Sequence, residues 1–205
     1  MQIEAPYRFV DIRNLLTYLS LASAVAAMVG AHSLGPRVTG GLIALSVVLD
    51  VFDGKFAARF TRPPSASAFG VQLDSFVDAI AFGCAPLAAS YAMLDGSRLA
   101  SIVWWPTALF YLTAVLTRLA FYNLYHSTLK TFVGLPASVP ALIFSSLAAA
   151  ESPPIIIATS FGLTGAAMLA PISIPRARGV VLLGFLGWTA VLIVIALYDI
   201  SRRSH

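Results

Sequence analysis

Apolar residues run through this chain in blocks of about twenty, the length a helix needs to cross a bilayer, and each block closes on a turn-forming run. The blocks fall at Leu15–Leu34, Val38–Phe60, Phe69–Leu94, Ser101–Tyr125, Pro136–Ala150, Pro154–Ser173 and Gly179–Ile200. Gly35-Pro36, Pro63-Pro64-Ser65, Asp95-Gly96, Gly134 and Pro153-Pro154 separate them. The pattern predicts an all-α, polytopic transmembrane bundle of six to eight spans. The last block contains Gly184 and Gly187, where it can also divide into two short hinged pieces. Ahead of the first block, Glu4–Arg13 mixes apolar and charged residues and is too polar to span. It is expected as an amphipathic helix lying in the membrane interface. It lacks a cleavage-site pattern, so a removable signal peptide is not expected. No internal repeat is visible, and a single membrane-embedded domain over residues 1–205 is expected.

Composition sharpens this picture. The chain is 59% apolar and 11% charged, with a mean hydropathy of +0.85. A soluble domain carries about 25% charged residues. The deficit excludes a water-soluble enzyme, a disordered chain and a nucleic-acid binder with a basic surface. The single cysteine, Cys84, excludes a disulfide framework. The net charge of +4 suits cytoplasmic loops rich in Lys and Arg. With the N-terminus inside, Arg8, Arg13, Lys55, Arg59, Arg62, Arg118, Lys130, Arg176 and Arg178 fall on the inner side. Arg37 and Arg98 face out, and Arg202 and Arg203 fit only if the last block does not cross in full.

Candidate chemistry lies with the acids. Of nine acidic residues, Asp50, Asp53, Asp74 and Asp78 sit inside the second and third blocks. Each costs on the order of 2.5–3.5 kcal/mol at a bilayer centre, so intramembrane acids mark function by default. Three- and four-residue spacings put each pair on one helix face. At about 1.5 Å per residue, Asp53 lies roughly 10 Å above the inner end of its helix, and Asp74 and Asp78 roughly 8 and 13 Å above theirs. Four carboxylates at one depth either bind divalent cations or hold protons. The first favours an enzyme with hard cations on oxygen ligands, the second an ion-coupled transporter. Gly54, Ala57 and Gly70 leave room for a ligand beside the helix backbone. Lys55, Arg59 and Arg62 add positive charge suited to a phosphorylated substrate. Both features favour the enzyme.

The run Asp50-Val-Phe-Asp53-Gly54-Lys-Phe-Ala57-Ala-Arg59, followed by Gly70-Val-Gln-Leu-Asp74-Ser-Phe-Val-Asp78, resembles the signature of the CDP-alcohol phosphotransferase family. Four segments look like that family's serine branch, the CDP-diacylglycerol–serine phosphatidyltransferases. They are Asn14-Leu-Leu-Thr17, Ser75-Phe-Val-Asp78-Ala-Ile-Ala-Phe82-Gly83-Cys-Ala85-Pro86, Arg118-Leu-Ala-Phe-Tyr-Asn123 and Phe132-Val-Gly134-Leu-Pro136. Two positions depart from the pattern. Ala58 stands where the family has its arginine, with Arg59 one residue later, and Phe121 stands where the serine branch has a second arginine.

The resemblance implies transfer of a phosphatidyl group from CDP-diacylglycerol to the serine hydroxyl, with release of CMP. It implies two divalent cations, Mg²⁺ or Mn²⁺, held by Asp50, Asp53, Asp74 and Asp78, with Asp78 also the catalytic base. Gly54, Ala57, Arg59 and Gly70 are then the CDP-binding residues. Arg118, with Asn123 and Lys130, is the candidate clamp for the acceptor, because a guanidinium matches a carboxylate as a fork. Glycerol 3-phosphate or inositol phosphate remains an alternative acceptor. The resemblance also implies an integral protein of the plasma (inner) membrane, a site facing the cytoplasm, contact with membrane lipids and a homodimer.

Overall fold

The computed structural model describes residues 5–61, 63–94, 96–125, 131–175 and 179–203. Eight α-helices carry the architecture: α1 (Leu15–Gly30), α2 (Gly35–Ala57), α3 (Pro64–Asp78), α4 (Ala85–Ala92), α5 (Arg98–Tyr125), α6 (Ser138–Ala149), α7 (Pro154–Leu169) and α8 (Val180–Arg203). A π-helical turn, Ala79–Cys84, joins α3 to α4 as one rod, so the described residues make seven helical passages. Five of them, Ile12–Gly30, Gly35–Ala57, Pro64–Ala92, Arg98–Tyr125 and Val180–Arg203, are long and apolar enough to cross a membrane. The two others are shorter apolar helices; the 12 residues of α6 rise only about 18 Å. The protein is an integral membrane protein built as a polytopic helical bundle.

The N-terminal segment departs from the expected amphipathic helix. It forms two short 3₁₀ turns, Pro6–Phe9 and Ile12–Asn14. Asp11 between them is extended, with φ −143°, and its side chain caps the second turn by accepting from the Arg13 N–H. That extended residue breaks the helical run. Tyr7, Val10 and Ile12 stay exposed, as an interfacial segment requires, and Phe9 stacks on Phe69 of α3 at 4.7 Å.

Lipid removes most of the hydrophobic drive for helices to associate, so close packing and hydrogen bonds take over. On α1 and α2 the hydroxyls of Ser20 and Ser46 lie 2.7 Å apart, and Ser23 donates to the Leu42 carbonyl at 2.7 Å. Gly41 of α2 lies so close to α8 that a Cβ there would collide with the Ala196 methyl.

The π turn has a cause in the sequence. Pro86 has no N–H to offer the carbonyl of Phe82 four residues back, and an orphan carbonyl in lipid is costly. The Tyr111 hydroxyl of α5, fully buried, donates to that carbonyl at 2.6 Å. This bond ties α5 to the rod one turn beyond Asp78.

Two residues from each of two loops pair as a small antiparallel ladder: β1 (Phe132–Val133) and β2 (Ser173–Ile174), with Val133 opposite Ser173. The pairing explains why α7 ends at Leu169 and not at Ser173. Gly134 follows β1 with φ +72°, and a Cβ there would run into the Met168 carbonyl. Glycine is the residue that fits.

The last helix corrects a second expectation. Val180–Arg203 is one helix, continuous through Gly184 and Gly187, so the hinged alternative falls. Its end lies opposite to the N-terminus, where Asp199 meets Arg203 at 2.9 Å and Arg37 at 3.7 Å, and Arg37 meets Glu151 at 3.4 Å. Asp199 pairs with Arg203 there, so a full crossing does not leave its charge isolated.

Candidate active site

Asp50 and Asp53 lie in the last two turns of α2, and Asp74 and Asp78 in the last two turns of α3. The hairpin between the helices brings the two faces together. Carboxylate oxygens of Asp50, Asp74 and Asp78 lie within 4.8 Å of one another. Asp53 stands beside this group and accepts from the Thr17 hydroxyl of α1 at 3.0 Å. Three ionised carboxylates at such separations repel by about 3.5 kcal/mol per pair at an effective dielectric of about 20. The total is comparable to the stability of a whole domain, so cations or protons must accompany them. An all-oxygen set of this size fits a hard divalent cation such as Mg²⁺ or Mn²⁺.

A cavity of about 130 Å³ opens next to the carboxylates. Asp53, Gly54, Ala57, Gly70 and Asp74 form one side of it, and Arg13, Asn14 and Thr17 the other. A Cβ built on Gly54 meets nothing within 4 Å. Packing therefore does not require glycine there. Arg59 lies elsewhere: α2 ends at Ala57, and Arg59 sits exposed in the turn beyond it, off the cavity lining.

The expected acceptor residues converge on α3 from α5. Arg118 is buried, 7% exposed, with its guanidinium 4.5 Å from the centre of the Tyr122 ring and within electrostatic reach of Asp78. It lines a second cavity of about 210 Å³ with Phe121, Val133 and Met168. Asn123 accepts from the hydroxyl of Ser75, the neighbour of Asp74, at 2.9 Å. Lys130 lies outside the described residues. The arrangement thus has open space on the α1 side of the carboxylates and a buried guanidinium on the α5 side.

Three contributors were not singled out from the sequence. Thr17 belongs to the quoted Asn14-Leu-Leu-Thr17 segment, but only the structure shows what its hydroxyl reaches. Arg13 entered only as a marker of orientation. Tyr122 stands four residues after Arg118, the spacing that stacks side chains on one helix face, and this was the available signal. Its hydroxyl also bonds both backbone groups of Val133 in β1.

The model of the family described as CDP-alcohol phosphatidyltransferase matches residues 11–196. The chain belongs to that family. Relatives include a CDP-diacylglycerol–serine O-phosphatidyltransferase of Mycobacterium bovis, 29% identical over 143 residues, 66% of this chain and 48% of the relative. An archaetidylserine synthase of Methanothermobacter thermautotrophicus is 31% identical over 138 residues, 67% of this chain and 58% of that protein. A CDP-diacylglycerol–serine O-phosphatidyltransferase of Helicobacter pylori is 32% identical over 132 residues, 63% of this chain and 54% of its own. The chain thus spans about half the length of the relatives it matches. The family match takes in all four aspartates, the cavity and Arg118.

Proposed function

We propose that this chain transfers a phosphatidyl group from CDP-diacylglycerol to the hydroxyl of serine and releases CMP. The observation that carries the reading is the trio Asp50, Asp74 and Asp78, with oxygens within 4.8 Å, beside a cavity that Gly54 leaves open. Such a site suits a diphosphate better than a transported ion, because the open space lies against a glycine and not along a row of acids.

In this reading Asp50, Asp53, Asp74 and Asp78 hold two divalent cations. When bound, such ions neutralise the diphosphate and stabilise departing CMP, as in other in-line displacements. Gly54, Ala57 and Gly70 admit the nucleotide. Asp78 takes the proton of the serine hydroxyl. The serine oxygen then forms a bond to the phosphorus that carries the diacylglycerol, and the bond from that phosphorus to the CMP oxygen breaks. Arg118, on the far side of Asp78, clamps the serine carboxylate, and Asn123 shapes the same wall. Serine is supported over a phosphorylated acceptor by the small basic set beyond the aspartates, Arg118 and Lys130, while Phe121 is a departure from the serine branch. We place the protein in the plasma (inner) membrane as a homodimer among lipids, with the four aspartates opening to the cytoplasm.

The test is CMP release by the purified chain with Mn²⁺ or Mg²⁺, CDP-diacylglycerol and a panel of alcohols. Serine-dependent release is expected. Release only with glycerol 3-phosphate or inositol phosphate moves the acceptor to that class, and no release with any alcohol ends the transferase reading.

A further inference from the structure

The cavity beside Asp53 needs a cation for the diphosphate oxygens that the metal ions do not cover, and Arg59 is not on its wall. Among the described residues, the positive side chain that lines it is Arg13. Arg13 also lines a neighbouring cavity of about 280 Å³, formed by the N-terminal 3₁₀ turns and the start of α3, including Arg8, Phe9 and Phe69. Asn14 is common to both. Small-molecule sites begin at roughly 300 Å³. The inner cavity alone is too small for a nucleotide, and the two together are not.

Arg13 therefore stands at the joint between the carboxylates and the larger space. Its position is built and not incidental. The Asp11 side chain accepts from the Arg13 backbone N–H, and its other oxygen lies 3.0 Å from the Arg13 Nε. The same carboxylate thus fixes both the backbone turn and the side chain. Asn14, next in the turn, is buried and donates to the Phe9 carbonyl at 3.4 Å. A guanidinium has five N–H donors in a fixed fork and can serve several acceptors at once.

We infer that Arg13 is a diphosphate-binding residue of this chain, taking the position that Arg59 does not reach. The inference rests on the nucleotide reading of the site given above. It predicts that the N-terminal turn is part of the nucleotide pocket and more than a membrane anchor. A charge-assisted hydrogen bond of this kind accounts for tenfold or more in affinity.

The experiment is calorimetric titration of the full chain in detergent with CDP in the presence of Mn²⁺. Arg13→Gln is expected to weaken CDP binding at least tenfold, and more than Arg59→Gln does. Arg13→Lys, which keeps the charge but not the fork, should fall between Arg13→Gln and wild type. Asp11→Asn loosens the carboxylate's hold on the turn and the side chain but leaves the guanidinium, so CDP affinity should fall by less than in Arg13→Gln. Equal affinity of wild type and Arg13→Gln overturns the inference and leaves the nucleotide reading intact. So does an Asp11→Asn loss as large as that of Arg13→Gln, which would mean that the pair only shapes the segment. A wild-type chain that binds no CDP removes the reading and the inference together.

Discussion

The hydroxyl of Thr17 lies 3.0 Å from a carboxylate oxygen of Asp53, joining α1 to α2 at the edge of the carboxylate cluster. The bond sets how Asp53 faces the cavity, and hydrogen bonds to charged groups contribute about 1.5–3 kcal/mol. Thr17→Val keeps the shape and removes the donor. We expect the half-saturating concentration of Mn²⁺ or Mg²⁺ to rise about tenfold, read from activity against metal concentration after EDTA treatment. An unchanged metal curve would mean that Asp53 needs no such support.

Asp78 is proposed both to bind metal and to accept the serine proton. Asp78→Asn keeps size and one oxygen ligand but loses the base. Turnover is expected to fall by 10²–10⁴, the usual contribution of a general base, while CDP affinity changes less than tenfold. If affinity collapses in step with turnover, Asp78 acts only through the metal site.

Tyr122 supports the guanidinium of Arg118 at 4.5 Å and is itself held by its hydroxyl on Val133. Desolvated cation–π contacts are worth about 2 kcal/mol. Tyr122→Leu should raise the KM for serine about tenfold while the KM for CDP-diacylglycerol stays within about twofold. Tyr122→Phe keeps the ring and loses the anchor, so it should be intermediate. A parallel rise in both KM values would point to general damage in place of positioning.

Two glycines on one helix make opposite predictions. A Cβ on Gly41 meets the Ala196 methyl of α8, whereas one on Gly54 meets nothing within 4 Å. Gly41→Val should lower the thermal midpoint in detergent, because overpacking costs typically 1–3 kcal/mol. Gly54→Val should leave the midpoint in place and abolish CDP binding. If Gly54→Val also lowers the midpoint, the space beside it serves packing and not a ligand.

Tyr111 and Pro86 form a compensating pair across the Phe82 carbonyl. Tyr111→Phe leaves that carbonyl without its donor, at a cost of about 1–3 kcal/mol. Pro86→Ala restores a backbone N–H four residues on. The thermal midpoint lost in Tyr111→Phe should be partly recovered in the double variant. Additive losses would show that the carbonyl has no part in holding α5 to the rod.

Much of this molecule was legible along the chain because its governing rules are local. Apolar blocks against the thickness of a bilayer marked the helices. The spacings Asp50–Asp53 and Asp74–Asp78 put each pair on one face, and the short hairpin loop made those faces level. The hinge suggested by Gly184 and Gly187 was misleading for the same reason. A glycine's local cost says nothing of how the whole helix packs, and α8 runs unbroken through both glycines to the contacts of Ala196 with Gly41 and Asp199 with Arg37.

The chain by itself determined an intramembrane bundle with four aspartates grouped near one end, since helix period, length and the cost of burying charge all act within a few turns. Only the tertiary structure decided which three carboxylates come within 4.8 Å, that Thr17 serves the fourth, and that Arg13 and not Arg59 lines the cavity. Those choices depend on which helices pack side by side and where α2 stops. A one-residue shift turns a side chain by about 100°, so contacts between distant segments are set by the whole packing and not by spacing along any one of them.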